Sequence, residues 1–206
     1  RERPKTWPSI HCWPESDRNE APRQSLMLSL TVDQTLRLQR MESHQAPSLN
    51  ALIEKNRTYL RPWLPWLDDN TRESDSRDFI ECSRERYANR EGLDMGIWQQ
   101  EALVGVVGFN QFSWGSRCGE MGYWLDEQQQ GAGIMTRCCR VLLEHAFTDL
   151  DLNRVEIRCA VDNAPSRAIP ERLSFQLEGQ LRQAEWIYDH FVDHAVYGLL
   201  AEEYKS

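Results

Sequence analysis

The segment Gly122-Tyr-Trp-Leu-Asp-Glu-Gln-Gln-Gln-Gly131-Ala-Gly133-Ile-Met-Thr136 is where residue types and spacing speak most directly of chemistry. A strand-like apolar stretch enters a turn with two glycines, and the turn opens a helix. The first N–H groups of a helix have no internal partner, and the helix dipole places partial positive charge there. Glycines let the backbone approach an anion closely, so such a turn suits a phosphate or pyrophosphate. Two nucleotide-binding signatures fail in detail. A dinucleotide fingerprint needs a third glycine where Thr136 stands, and a Walker loop needs a lysine that does not follow Gly133. On this motif alone, an ordinary glycine turn before a helix is an equal reading.

Other reactive side chains offer less. The cysteines are Cys12, Cys82, Cys118, Cys138, Cys139 and Cys159, and no pair has C-x-x-C spacing. They read as reduced thiols filling small apolar space in a cytoplasmic protein. Cys138 and Cys139 fall inside the helix after the glycines, away from the N-terminus that would lower a thiol pKa. His190 and His194 are four apart, but FVDHAVYGLL around them reads as a strand. Four strand residues span roughly 13 Å, too far for one tetrahedral ion, so no metal is expected. No Ser–His–Asp arrangement is visible.

Gln128-x-x-Gly131-x-Gly133 resembles the Q/R-x-x-G-x-G/A loop of the GNAT acetyltransferases. Asn163-Ala-Pro-Ser166-Arg167, followed by Glu171-Arg-Leu-Ser-Phe175-x-Leu-Glu178-Gly179, is similar to the N-x-x-S and R-x-G-F-x-x-E-G stretches of the RimJ/RimL branch. The likeness runs over about residues 27–205. One departure stands out: the family usually has glycine where this chain has Ser174. If that position needs a positive φ, serine is strained there.

The resemblance implies acetyl-CoA as co-substrate and direct attack of a primary amine on its thioester, with no covalent enzyme intermediate. Leu125, Gln128, Gly131, Ala132, Gly133 and Ile134 would then form the pyrophosphate-binding loop. Backbone N–H groups on the strand near Gly119–Leu125 would serve the oxyanion. Ser166 would hold a proton for the leaving CoA thiolate; the other reading is a helix-start residue beside Pro165. Asn163 would bind the pantetheine arm or fix the turn before that helix. For the base, the resemblance points to Asp94, Glu120 on an adjoining strand is the rival, and a water chain with no single base is the third reading. Arg137 and Arg140 would add positive charge near the phosphates or simply be solvated. The acceptor would be a protein N-terminal amine, that of a ribosomal protein included. Alternatives are a small amine (polyamine, aminoglycoside or peptide antibiotic) and a non-catalytic acyl-CoA sensor.

These residues need elements to position them. Residues 35–40 alternate like a half-buried strand, 46–60 suit a helix, and 71–89 suit a second one. Between the helices, Arg61-Pro-Trp-Leu-Pro-Trp-Leu67 has two prolines and two tryptophans. It reads as a rigid aromatic loop that walls an acceptor site or hinges the helices. Strands follow at 93–98, 102–112 and 117–125. The helix at 133–149 should place Ile134, Val141, Leu142 and Phe147 on its apolar face. A strand at 154–161, a short helix from Pro165 to about Leu173, and strands near 175–187 and 192–200 complete the chain. The fold expected is α/β: a mixed, mostly antiparallel central sheet with flanking helices, GNAT-like in the terms of the resemblance. The two C-terminal strands can build a homodimer edge.

Composition narrows the function classes. The chain has 206 residues, with 24 Lys plus Arg against 32 Asp plus Glu, a net charge of −8. That argues against a general nucleic-acid binder, which needs a basic face. No run of about 18 apolar residues exists to span a bilayer. Residues 1–25 hold four of the nine prolines and show no period, so a flexible extension is expected to precede a single domain over 26–206.

Overall fold

The computed structural model describes residues 28–204. The expected extension over 1–25, with Cys12, lies outside the described residues. The elements are β1 (Ser29–Thr31), β2 (Leu36–Arg40), α1 (Ala46–Leu60), α2 (Glu73–Ala88), β3 (Leu93–Gln99), β4 (Ala102–Ser113), β5 (Cys118–Leu125), α3 (Ile134–Thr148), β6 (Arg154–Ala160), α4 (Ala164–Arg172), β7 (Gln176–Ile187) and β8 (His190–Leu200). Every expected element is present, and β1 is an addition. The strands form one eight-stranded sheet in the order β1-β2-β3-β4-β5-β6-β8-β7. All neighbours are antiparallel except β5 and β6, which run parallel because α3 carries the chain back between them. β7 is an outer edge, as a dimer through the C-terminal strands would require, and Leu177, Leu181, Trp186 and Phe191 are exposed on this hairpin.

Alternation along the strands gives the sheet two apolar faces. Leu93, Met95 and Ile97 of β3 point to the face covered by α3 and α4, and Trp98 joins the core under α1 and α2. α1 buries Leu49, Leu52, Ile53 and Leu60 there. The apolar face of α3 is rotated from the sequence expectation. Met135, Cys138, Cys139, Leu142, Leu143 and Ala146 are buried with Ile134, whereas Val141 and Phe147 are only half-buried. The cysteines pack as small apolar residues and shift the stripe's centre toward themselves. Burial pushes the Cys138 thiol up to about 12 and Cys139 well above the usual thiol value. Neither is a nucleophile at neutral pH.

α2 begins where Asp75 accepts hydrogen bonds from the Thr71 and Arg72 N–H groups, at 3.1 and 2.9 Å. α4 ends with Ser174 at φ +65° and Phe175 N–H donating to the Pro170 carbonyl at 3.0 Å. The departure from glycine at this position is therefore a real strain. An L-residue in this conformation costs about 1–2 kcal/mol, partly offset by glycine's larger chain entropy. Ser174→Gly should stabilise the protein by roughly 0.5–1 kcal/mol. Urea unfolding reads this directly, and an unchanged or lowered midpoint would contradict it.

Candidate active site

β5 runs into a short 3-10 turn, Glu127–Gln129, and then into Gly131 and Gly133, at φ +77° and +70°. A Cβ at either glycine would meet nothing within 4 Å, so conformation demands them, not crowding. The open space lies at the N-terminus of α3, a 15-residue helix. Room, positive φ and orphan N–H groups together make an anion cradle. Leu125 and Ile134 bury their side chains in the core, so they face the cradle only through backbone; Ala132 and Gln128 are exposed. Arg137 pairs with Asp33, so its charge is already compensated; Arg140 is exposed.

Next to the cradle the sheet opens. β5 and β6 are in register from Cys118↔Arg154 to Met121↔Ile157. Beyond that, β5 continues to Leu125 against β4 alone, and β6 continues to Ala160 against β8 alone. Two parallel strands thus part after Met121 and Ile157. Gly122–Leu125 on one side and Arg158–Ala160 on the other present open backbone edges, which suit an extended ligand with amides of its own.

α4 closes one side of this opening. Asn163 caps the helix, its Oδ1 accepting from Ser166 N–H at 3.1 Å. Asn163 therefore fixes the turn, the second of its two sequence readings. Pro170 has no N–H to give the Ser166 carbonyl, and the Tyr123 hydroxyl donates to that carbonyl at 2.9 Å instead. This bond ties β5 to α4 across the gap. Sequence reasoning missed Tyr123, although a proline four residues after Ser166 was the available signal. Burial raises the Tyr123 pKa well above the usual phenol value, so it stays a donor. The Ser166 side chain hydrogen-bonds the Cys159 thiol, which burial pushes up to about 11.

The acidic candidates lie on the opposite face, toward α1 and α2. Glu120 sits one pair before the strands part, held by Asn110 Nδ2 and Gln111 Nε2, both at 3.2 Å, with Arg158 at 3.5 Å. Asp94 aligns with Gly108, and Gly108 with Gly122. It is therefore two strands from the opening, about 10 Å away. Its carboxylate pairs with Arg86 at 3.1 Å. Burial raises its pKa, opposed by Arg86 and a hydrogen bond from Ser83. The site thus brings together the loop, Asn163, Ser166 and Glu120, and leaves Asp94 apart.

A further pair lies on β8, one strand beyond the β6 side of the opening. His194 is directly opposite Ala160 at the end of β6, on the face away from the buried Ala195 and Tyr197. Its Nε2 is 3.2 Å from Glu185 Oε2. Its partner in the H-x-x-x-H spacing, His190, pairs instead with Asp189. No group of three metal-binding side chains occurs among the described residues. Nearby, the aromatic loop is docked on the β7–β8 turn: Tyr188 OH donates to Leu64 O at 2.8 Å, and Arg61 lies 3.9 Å over the Tyr188 ring.

A glycine cradle at a helix N-terminus is the arrangement that the sequence resemblance implied, and the structure adds two parallel strands that part beside it. The family model for the acetyltransferase (GNAT) domain matches residues 35–176. The chain belongs to the GNAT acetyltransferases. It is 31% identical to the ribosomal-protein-serine acetyltransferase of Escherichia coli, over 84% of this chain and 97% of that one. The structure of RimL, a ribosomal L7/L12 α-N-protein acetyltransferase solved with coenzyme A, matches with a TM-score of 0.82 and 30% identity, over 85% of this chain and 99% of that one. Microcin C7 self-immunity acetyltransferase, solved with acetyl-CoA and AMP, matches with a TM-score of 0.79 and 30% identity, over 82% and 94%. This GNAT chain is an N-acetyltransferase, and both of these structural neighbours were solved with coenzyme A or acetyl-CoA. Gly133→Ala would force a side chain into the φ +70° position. At about 1–2 kcal/mol of strain, the KM for acetyl-CoA should rise about tenfold with kcat largely kept. Initial rates against acetyl-CoA concentration check this, and an unchanged KM would contradict it.

Proposed function

We propose that the chain transfers acetyl from acetyl-CoA to the N-terminal α-amine of a protein, with a ribosomal protein as the acceptor. The parting of β5 and β6 beside the glycine cradle carries this reading. The opening is flanked by a proton donor on one face and proton acceptors on the other. Acetyl-CoA supplies an activated thioester when bound. The cradle from Gln128 to Ile134 holds the pyrophosphate, and the open edges of β5 and β6 receive the pantetheine amides. Backbone N–H groups of β5 beyond Met121 serve the oxyanion. Ser166 Oγ–H donates a hydrogen bond to the departing thiolate, and the proton the thiolate finally takes is the one that the attacking amine loses.

On the acceptor face the attacking amine must lose a proton. A terminal amine has a pKa of about 7.7–8.0, so a modest base is enough. Glu120 is already engaged by Arg158 and two amide donors. Asp94 is bound to Arg86 and distant, and its part is structural. His194 suits the role better. With Nε2–H donating to Glu185, the other ring nitrogen is the acceptor. The aromatic loop and the β7–β8 turn wall the acceptor side, where Asp68 and Asp189 are the carboxylates.

Free CoA release with a panel of acceptors tests the reading. Peptides beginning with Ser or Ala should support turnover, and spermidine and aminoglycosides should not. The similarity to a microcin-immunity enzyme favours one second reading, an amine-bearing peptide antibiotic. Release only with small amines would replace the acceptor and leave the fold and cradle in place.

A further inference from the structure

The last two turns of α1 lie against the loop between β5 and the glycines, and the contacts there are polar, with Asn56 and Asp126 buried. Asn56, 2% exposed, uses both ends of its amide: Nδ2 donates to Leu52 O and Oδ1 accepts from Glu127 N–H, each at 2.9 Å. Lys55 Nζ is 2.6 Å from Asp126 Oδ2, and Asp126 is 4% exposed. The other Asp126 oxygen accepts from Gln128 N–H at 3.2 Å, and its own N–H donates to Val104 O at 2.8 Å. One turn further on, Tyr59 OH meets Gln130 Nε2. Side chains thus fix positions 126, 127, 128 and 130, and three of the four are reached from α1.

Burying an amide and a carboxylate in a helix–loop joint is costly where apolar contact would pack as well. What the polar set adds is direction. It fixes the backbone of a stretch that ends in two glycines, the most flexible residues in the chain. A loop ordered in advance binds its anion more tightly, because less freedom is lost on binding. We propose that Lys55 and Asn56 are positioning residues for the pyrophosphate loop, acting on acetyl-CoA through Asp126 and Glu127 without touching it. This rests on the acetyltransferase reading above.

Lys55→Met and Asn56→Leu should each raise the KM for acetyl-CoA about tenfold, with kcat within about twofold. S-acetylpantetheine, which lacks the pyrophosphate, separates this role from general damage. Its kcat/KM should stay within about twofold in both variants. Lys55→Arg keeps the charge on Asp126 and should retain most of the affinity. If both thioesters lose rate equally, or if the acetyl-CoA KM is unchanged, the inference is wrong. Lys55 is partly exposed, so its variant should fold even if the Asn56 variant does not. Calorimetry with CoA distinguishes the proposed reaction from the proposed positioning. Absent turnover with CoA still bound would overturn the reaction, whereas an unchanged CoA Kd in the variants would overturn this inference alone.

Discussion

Ser166→Ala should lower kcat about 10²-fold while the KM for acetyl-CoA changes little, because general acid catalysis typically contributes 10²–10⁴-fold. The substitution is unusually clean here. The cap bond from Asn163 reaches the Ser166 N–H, and the Tyr123 hydroxyl reaches its carbonyl. Both contacts are to backbone and survive the loss of the hydroxyl. What disappears is the Oγ–H and its hydrogen bond to the Cys159 thiol. Cys159 cannot substitute as a ready thiolate, since burial pushes its pKa up to about 11. Steady-state kinetics with a Ser-starting peptide, alongside the melting temperature, check the result. A kcat within about twofold of wild type would remove Ser166 from the chemistry.

His194→Asn should lower kcat/KM at pH 7 by about 10²-fold, and the deficit should shrink as pH rises. The sign follows from the acceptor. Below about pH 8 a terminal amine is mostly protonated, and a base near the opening takes its proton. Above that range the amine gives its proton to water unaided, and the base matters less. Loss of structure alone would give a deficit that does not depend on pH. A pH–rate profile for wild type and His194→Asn, with Glu120→Gln beside them, decides between the two groups. Glu120→Gln should cost much less at pH 7, since that carboxylate is already engaged by Asn110, Gln111 and Arg158. A large pH-dependent loss in Glu120→Gln and none in His194→Asn would reverse the assignment.

Much of this fold is legible in the amino-acid sequence, for local reasons. Proline–tryptophan punctuation separates α1 from α2. Strand alternation marks β2 and β6, and the two glycines mark the start of α3. β1 escapes because Ser29–Thr31 is three residues long, too short to show a period. The apolar stripe of α3 is misplaced by any pattern that leaves Cys138 and Cys139 out of the core. The opening itself has no sequence signal, since it is where pairing stops after Met121 and Ile157, and sequence patterns report strands rather than their partners. Asp94 and Glu120 share a face, as alternation allows, but their distances from the opening depend on strand order. Lys55 and Asn56 look in sequence like the polar face of a helix. The spacing of His194 from His190 raises only a metal pair, whereas its partner is Glu185, brought there by a register shift in the β7–β8 hairpin. Ser174 is the opposite case: a single missing glycine foretells a positive φ, and the chain has it.

Where the acetyl group ends decides whether the acceptor is an N-terminal α-amine. Mass spectrometry shows this most directly, on a ribosomal protein with a free N-terminus incubated with the enzyme and acetyl-CoA. One added acetyl group is expected, located by fragmentation on the first residue and absent when Ser166→Ala is used for the same time. Acetylation of lysine side chains instead, or an unmodified protein while a small amine or antibiotic peptide is acetylated, would contradict the proposed function.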